Sequence, residues 1–171
     1  MTMIHLLGAA LAAGAAAYLG FSAAAALSRR VRALEDMVQG LSLLEQELEL
    51  DSPPLPQLME RLARRCRGPA LALVRECRLA LDRLEEEDFS TAWRRAVSRR
   101  EELGEAGRQA LLPLGDTLGR CGWEDQRRAA ECVRRRLEEL ACQARQEGRG
   151  RGRVYRALGL TGGAFLVILL L

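Results

Sequence analysis

The sequence predicts an all-α fold, a membrane-anchored antiparallel bundle of about five or six helices flanked by an N-terminal and a C-terminal transmembrane helix. Three observations predict it. Apolar residues recur at helical spacing along most of the chain, and no run alternates with period two for long enough to be a strand. No charged side chain precedes Arg29, and none follows Arg156. All 26 basic residues, every one an arginine, and all 23 acids therefore lie in the middle, which reads as a densely charged, water-facing body.

The first uncharged stretch, Ile4 to Leu27, is 24 residues. As a helix it extends about 36 Å, enough to cross a bilayer. A cleaved signal peptide is the rival reading, because "FSAAAAL" offers small residues suited to cleavage. The segment "MTMIH" lacks a basic n-region, however, and Arg29, Arg30 and Arg32 follow the apolar run, which favours an uncleaved anchor with the next segment held in the cytoplasm. At the other end, "ALGLTGGAFLVILLL" is 15 residues. It spans only about 22 Å as a helix, and arginines snorkelling at its start lengthen its reach; a re-entrant or interfacial segment is the alternative. Its flanking residues Arg149, Arg151, Arg153 and Arg156 lie on the same side as the first cluster, so both charge groups put the middle inside and both termini outside. The expected organisation is a first span at 1–27, a cytoplasmic bundle at 28–147 whose residues 28–50 continue the first helix, a basic juxtamembrane linker at 148–156 and a second membrane segment at 157–171.

The net charge of +3 divides unevenly. Residues 28–32 carry +3, residues 145–156 carry +4 and residues 33–144 carry −4. The positive charge is thus juxtamembrane, where it meets anionic lipid headgroups, and nucleic acid is not an expected partner. The five cysteines contain no C-x-x-C, and the spacings from Cys66 to Cys77 and from Cys121 to Cys132 suit buried helix faces. No metal, cofactor or small-molecule substrate is expected. The one histidine, His5, lies in the first span, so the body has no histidine to serve as base or ligand. Serines without a basic partner and acids scattered on solvent faces leave no catalytic residues to name, and the protein is read as a non-enzyme.

Element by element, Leu27, Val31, Leu34, Val38, Leu41 and Leu48 keep close to a heptad, so the first helix continues to about Leu50 before "LDSPPLP" stops it. A second helix starts near Pro56 with Leu58, Leu62 and Cys66 on one face, and Gly68 ends it. A third runs from Ala70 to about Glu87 with Leu73, Val74, Cys77, Leu81 and Leu84 inward. Ser90 is the expected cap of a fourth, whose face is Trp93, Ala96 and Val97. A fifth carries Leu111, Leu114 and Leu118, with Pro113 kinking it or marking its start. A sixth runs from Trp123 to about Glu147 and turns Gln126, Ala130, Val133, Leu137, Leu140 and Ala144 inward.

The glycines of "LLPLGDTLGRCGWEDQRR" invite comparison with a phosphate loop, but the chain has no lysine and the spacing of Gly115, Gly119 and Gly122 matches no nucleotide fingerprint. A helix crossing explains them better. Leu114 and Leu118 supply apolar contact, Gly115 and Gly119 leave one helix face bare for a close neighbour, Gly122 ends the helix, and Glu124 and Asp125 suit the positive first turn of the next.

The order of these features carries a resemblance. "L-G-x-x-L-G" at Leu114–Gly119 followed by Gln126, "PL" at Pro54 and Leu55, "AW" at Ala92 and Trp93, an N-terminal span and the closing "FLVILLL" together resemble the stage III sporulation protein AB family of endospore-forming bacteria. Gly122 stands where that family carries an acid, and Gly148, Gly150 and Gly152 interrupt what is typically a continuous helix into the last span. The resemblance implies a function that composition does not reach. The family is similar to the cytoplasmic domain of the platform protein of type II secretion and type IV pilus machines. It implies a mother-cell membrane protein facing the forespore, partnered with a companion ATPase, stage III sporulation protein AA, and with other subunits of a channel complex. A membrane-anchored helical receptor or assembly factor unrelated to secretion is the alternative. Two surfaces are expected to serve assembly: the acidic loop Glu85, Glu86, Glu87 and Asp88, which would steer toward a basic partner, and the G-x-x-x-G of Gly159 and Gly163, which permits close approach of helices in a membrane.

Overall fold

A computed structural model describes residues 2–51, 53–82 and 88–170, with side chains described at 22, 25–51, 53–82 and 88–148. Six α-helices and one 3₁₀ turn, with no strand among the described residues, make up the chain: α1 (Thr2–Leu50), α2 (Leu55–Arg65), α3 (Gly68–Leu81), α4 (Phe89–Ser98), a 3₁₀ turn (Glu101–Leu103), α5 (Gly104–Thr117) and α6 (Trp123–Leu170). The chain divides into two compact units, one made of Met1–Arg29 with Gln143–Leu171, the other of Arg30–Cys142.

In the first unit the apolar start of α1 and the end of α6 come together. Gly148 faces Leu27 so closely that a Cβ placed on the glycine would lie 3.4 Å from Leu27 Cδ2. Gly148, Gly150 and Gly152 do not break α6, which is helical across the expected linker at 148–156. Glycine costs a helix about 1 kcal/mol each, so such a segment persists only with flanking helix on both sides, as it has here. Among the described residues no helix is long and apolar enough to cross a membrane. The two stretches expected to span, 1–27 and 157–171, consist mainly of residues whose side chains lie outside that description.

The second unit is a bundle around one apolar core. α1 contributes Ala33, Leu34, Met37, Leu41, Leu44 and Leu48, α5 contributes Leu111 and Leu114, and α6 contributes Ala130, Val133, Leu137, Leu140 and Ala141. The predicted inward faces of α2, α3 and α4 are buried at Leu58, Leu62, Leu73, Val74, Cys77, Trp93, Ala96 and Val97. Proline at the second helical position opens both α2 and α3, where its missing N–H costs no hydrogen bond. The described part of α3 ends at Leu81, and residues 83–87, where the sequence predicts that the helix continues, lie outside the described residues.

Two expectations about local structure need correction. Asp88, not Ser90, is the residue before α4; Ser90 sits inside the helix and its hydroxyl donates to Asp88 Oδ2 at 2.6 Å. Pro113 neither starts α5 nor ends it, because the helix begins at Gly104 and runs through the proline to Thr117.

Candidate functional site: the helix crossing and the arginine ties

The glycine stretch resolves into two different devices. Gly115 lies in α5 against Trp93 of α4, and a Cβ on it would fall 2.3 Å from Trp93 Cδ1. Only a glycine lets the indole lie against the α5 backbone, where its Nε1–H donates to the Leu111 carbonyl at 2.9 Å. Phe89, one turn earlier on α4, packs at a tilt on the same ring, with centroids 6.2 Å apart. Leu114 and Leu118 are buried on either side, as expected.

Gly119 is not on the helix face. α5 has already ended at Thr117, and Gly119 takes φ +77°, the left-handed conformation that reverses the chain. Gly122, expected to end the helix, is open on its outer side: a Cβ added there would meet nothing within 4 Å, so packing places no demand on it. Gln126 is half-buried on α6 and does not enter the core; its side-chain amide donates to the Cys121 carbonyl at 2.7 Å and so ties the α5–α6 turn to the new helix. Glu124 and Asp125 occupy the positive first turn of α6.

Of the expected acidic loop, Glu85, Glu86 and Glu87 lie outside the described residues. Asp88 is exposed and is held by Arg120 of the α5–α6 turn at 2.7 Å. The Ser90 hydroxyl first, and then the Arg120 guanidinium, keep its carboxyl below the usual aspartate range. Gly159 and Gly163 fall inside α6 but outside the residues whose surroundings are described, as do the side chains of Arg149, Arg151, Arg153 and Arg156. Arg29 and Arg32 are exposed, whereas Arg30 is half-buried, with its guanidinium laid over Gly104 and its Nε unbonded.

What periodicity did not reveal is a set of arginine–carboxylate ties, one on each of several helix seams. Glu47 is buried in the α1–α2 seam and accepts from Arg65 at 2.9 Å and Arg61 at 3.2 Å, while Arg61 also reaches Asp51 at 2.9 Å. Glu45 on α1 accepts from Arg134 on α6 at 2.8 Å. Asp116 on α5 accepts from Arg94 on α4 at 2.8 Å. Glu76 on α3 pairs with Arg100, just past α4. The signal for Glu47 was available in the sequence: an acid three residues after Leu44, on the buried stripe of α1, with arginines spaced i, i+4 on α2. Arginine suits this use, since its planar fork can serve two carboxylates at once, as Arg61 and Arg134 do.

The cysteines divide. Cys66 and Cys77 are buried as expected, and burial pushes the Cys77 thiol up to about 12 and raises that of Cys66. Cys121, Cys132 and Cys142 are exposed, contrary to expectation. The 11-residue spacing misled because Cys121 precedes α6 and so shares no helical phase with Cys132. No group of three potential metal ligands occurs among the described residues. A cavity of about 30 Å³ inside the bundle is lined only by apolar residues, among them Met37, Leu44, Met59, Val74, Trp93 and Leu118. It is of the order of one water in size and has no polar group to hold one.

The arrangement is thus a set of seams and turns fixed by packing and ion pairs. Comparison with known proteins agrees with the resemblance read from the sequence. The family described as "Stage III sporulation protein AB (spore_III_AB)" matches residues 5–171. Stage III sporulation protein AB of Bacillus subtilis (strain 168) is 24% identical over 172 residues, covering 99% of this chain and 100% of that protein. A solved structure of a stage III sporulation protein AB (SpoIIIAB) superposes with a TM-score of 0.60 at 21% identity, covering 71% of this chain and 97% of the other, and so shares its fold. With the family match running through both terminal helices and the whole bundle between them, the chain belongs to the stage III sporulation protein AB family.

Proposed function

We propose that this protein is a non-enzymatic membrane platform of a sporulation secretion-like channel complex, coupling a cytoplasmic ATPase to the membrane assembly during endospore formation. In this reading it resides in the mother-cell membrane facing the forespore, with the bundle in the cytoplasm and both termini outside. Its partners are the companion ATPase, stage III sporulation protein AA, other subunits of the channel complex, and membrane lipids along the basic juxtamembrane segments.

One observation supports the reading most. α1 and α6 are single helices of 49 and 48 residues, and each joins an uncharged apolar stretch to a face of the bundle core without a break in secondary structure. An uninterrupted helix transmits displacement along its axis better than a flexible linker, which is what a coupling element requires. The test is co-purification of the full-length protein in detergent with the co-expressed ATPase. Recovery of a complex is the expected result; its absence, together with recovery of an unrelated membrane partner, would replace the platform with a receptor or assembly factor.

A further inference from the structure

α3 carries Arg67 at its N-cap and Arg75 and Arg78 within it, all exposed, and none of them pairs with a carboxylate among the described residues. At 3.6 residues per turn these positions share with Leu71 and Leu79 an arc of roughly 120° on the outer side of the helix. Leu79 is 66% exposed, while Leu73 on the opposite side is buried in the core. The nearby acids are already engaged: Glu76 turns to Arg99 and Arg100, and Glu60, the carboxylate nearest in influence to Arg78, is bound by Arg64 at 2.7 Å. Asp82, at the C-terminal end of the arc, is the one exposed acid on it without a partner among the described residues.

A lone exposed leucine is ordinary on any protein. An exposed leucine ringed by uncommitted guanidinium groups is different, because arginines around an apolar centre combine long-range attraction with contact area that excludes water. The charge sign specifies the occupant as acidic. A second copy of this chain does not supply that chemistry: its exposed Trp123 is flanked by Glu124 and Asp125 but also by Arg127 and Arg128, which cancel them. We propose that the outer face of α3, centred on Leu79 between Arg75 and Arg78, docks an acidic surface with an apolar pocket on the companion ATPase. The proposal rests on the platform reading above and gives it a location.

The experiment measures binding of the purified ATPase to the full-length protein in detergent at low ionic strength. The double variant Arg75→Glu/Arg78→Glu and the single variant Leu79→Asp each weaken binding by at least about tenfold, and added salt weakens the native complex. Circular dichroism melts verify that the variants remain folded. Arg127→Glu/Arg128→Glu on α6 makes the same change in net charge and leaves binding intact. Equal binding by the α3 variants overturns the docking face and leaves the platform reading standing. Equal weakening by the α6 control also overturns it, since net charge alone would then explain the effect. If the unmodified protein does not bind the ATPase, the platform reading falls and the docking face falls with it.

Discussion

Helices α2 and α3 are neighbours of similar length with three arginines at or beside each, yet the two sets meet opposite fates. Those of α2 are all committed: Arg61 and Arg65 to Glu47 in the α1 seam, Arg64 to Glu60 one turn away. Arg67, Arg75 and Arg78 of α3 face water without a carboxylate among the described residues. The same residue type therefore does structural duty on one helix and is available for recognition on the next. What separates them is the identity of the facing stripe: α1 turns an acid toward α2, whereas α3 turns its apolar residues to the bundle and its arginines away from it.

The comparison can be broken at its frame. Replacing Gly115 by valine drives a side chain into the Trp93 ring and pushes α4 off α5, and we expect the largest loss of stability, about 3 kcal/mol, read as a lowered denaturation midpoint with loss of near-ultraviolet dichroism. Next comes Glu47→Ala, which removes the acceptor for both α2 arginines. Because those arginines are about half exposed and recover water, the cost should be about 2 kcal/mol, below that of a fully buried pair. Arg75→Glu/Arg78→Glu sits at the other extreme, within about 0.5 kcal/mol of the unmodified protein in the same melts. A large destabilisation by the α3 variant, or none from Glu47→Ala, would erase the distinction.

Solution pH sharpens the comparison. Glu60, Asp88 and Glu105 have depressed folded-state values, through Arg64, Ser90 and Gln109 respectively as the leading causes. Their contribution is present above the ordinary carboxylate range and is lost as pH falls through about 4 and below, so the melting temperature declines on the acid side. The Cys77 thiol acts in the opposite direction. Its folded value is raised to about 12, so its contribution is complete below the ordinary thiol value and is lost as pH climbs toward 12. Thiol labelling of the native protein gives the smallest and most local reading: Cys121, Cys132 and Cys142 react, while Cys66 and Cys77 react only after denaturation.

Periodicity made the helices and their inward faces legible, because burial of an apolar stripe is written in every third or fourth residue. Leu34, Leu41 and Leu48 of α1 and Ala130, Val133 and Leu137 of α6 are buried as their spacing requires. The helix crossing was half legible. Gly115 meets a neighbouring ring as foreseen, but Gly119 carries a reversal, since four-residue spacing cannot say where α5 stops. Pairing of charges was least legible. Which arginine finds an acid depends on the rotation of two helices about their axes, a tertiary quantity absent from either helix alone, and the uncommitted arginines of α3 emerge only once the committed ones are placed.

The crossing of α4 on α5 has an optical consequence. The chain contains two tryptophans, one wedged on Gly115 with its N–H bonded to a carbonyl, the other 45% exposed at the start of α6. Their emission should differ in colour and in access to a dissolved quencher such as iodide. Trp93 is the blue, shielded component, and Trp123 the red, quenchable one. A single fluorescence trace then carries two channels, one following the grip between α4 and α5 and the other following events at the turn into α6, with no label added.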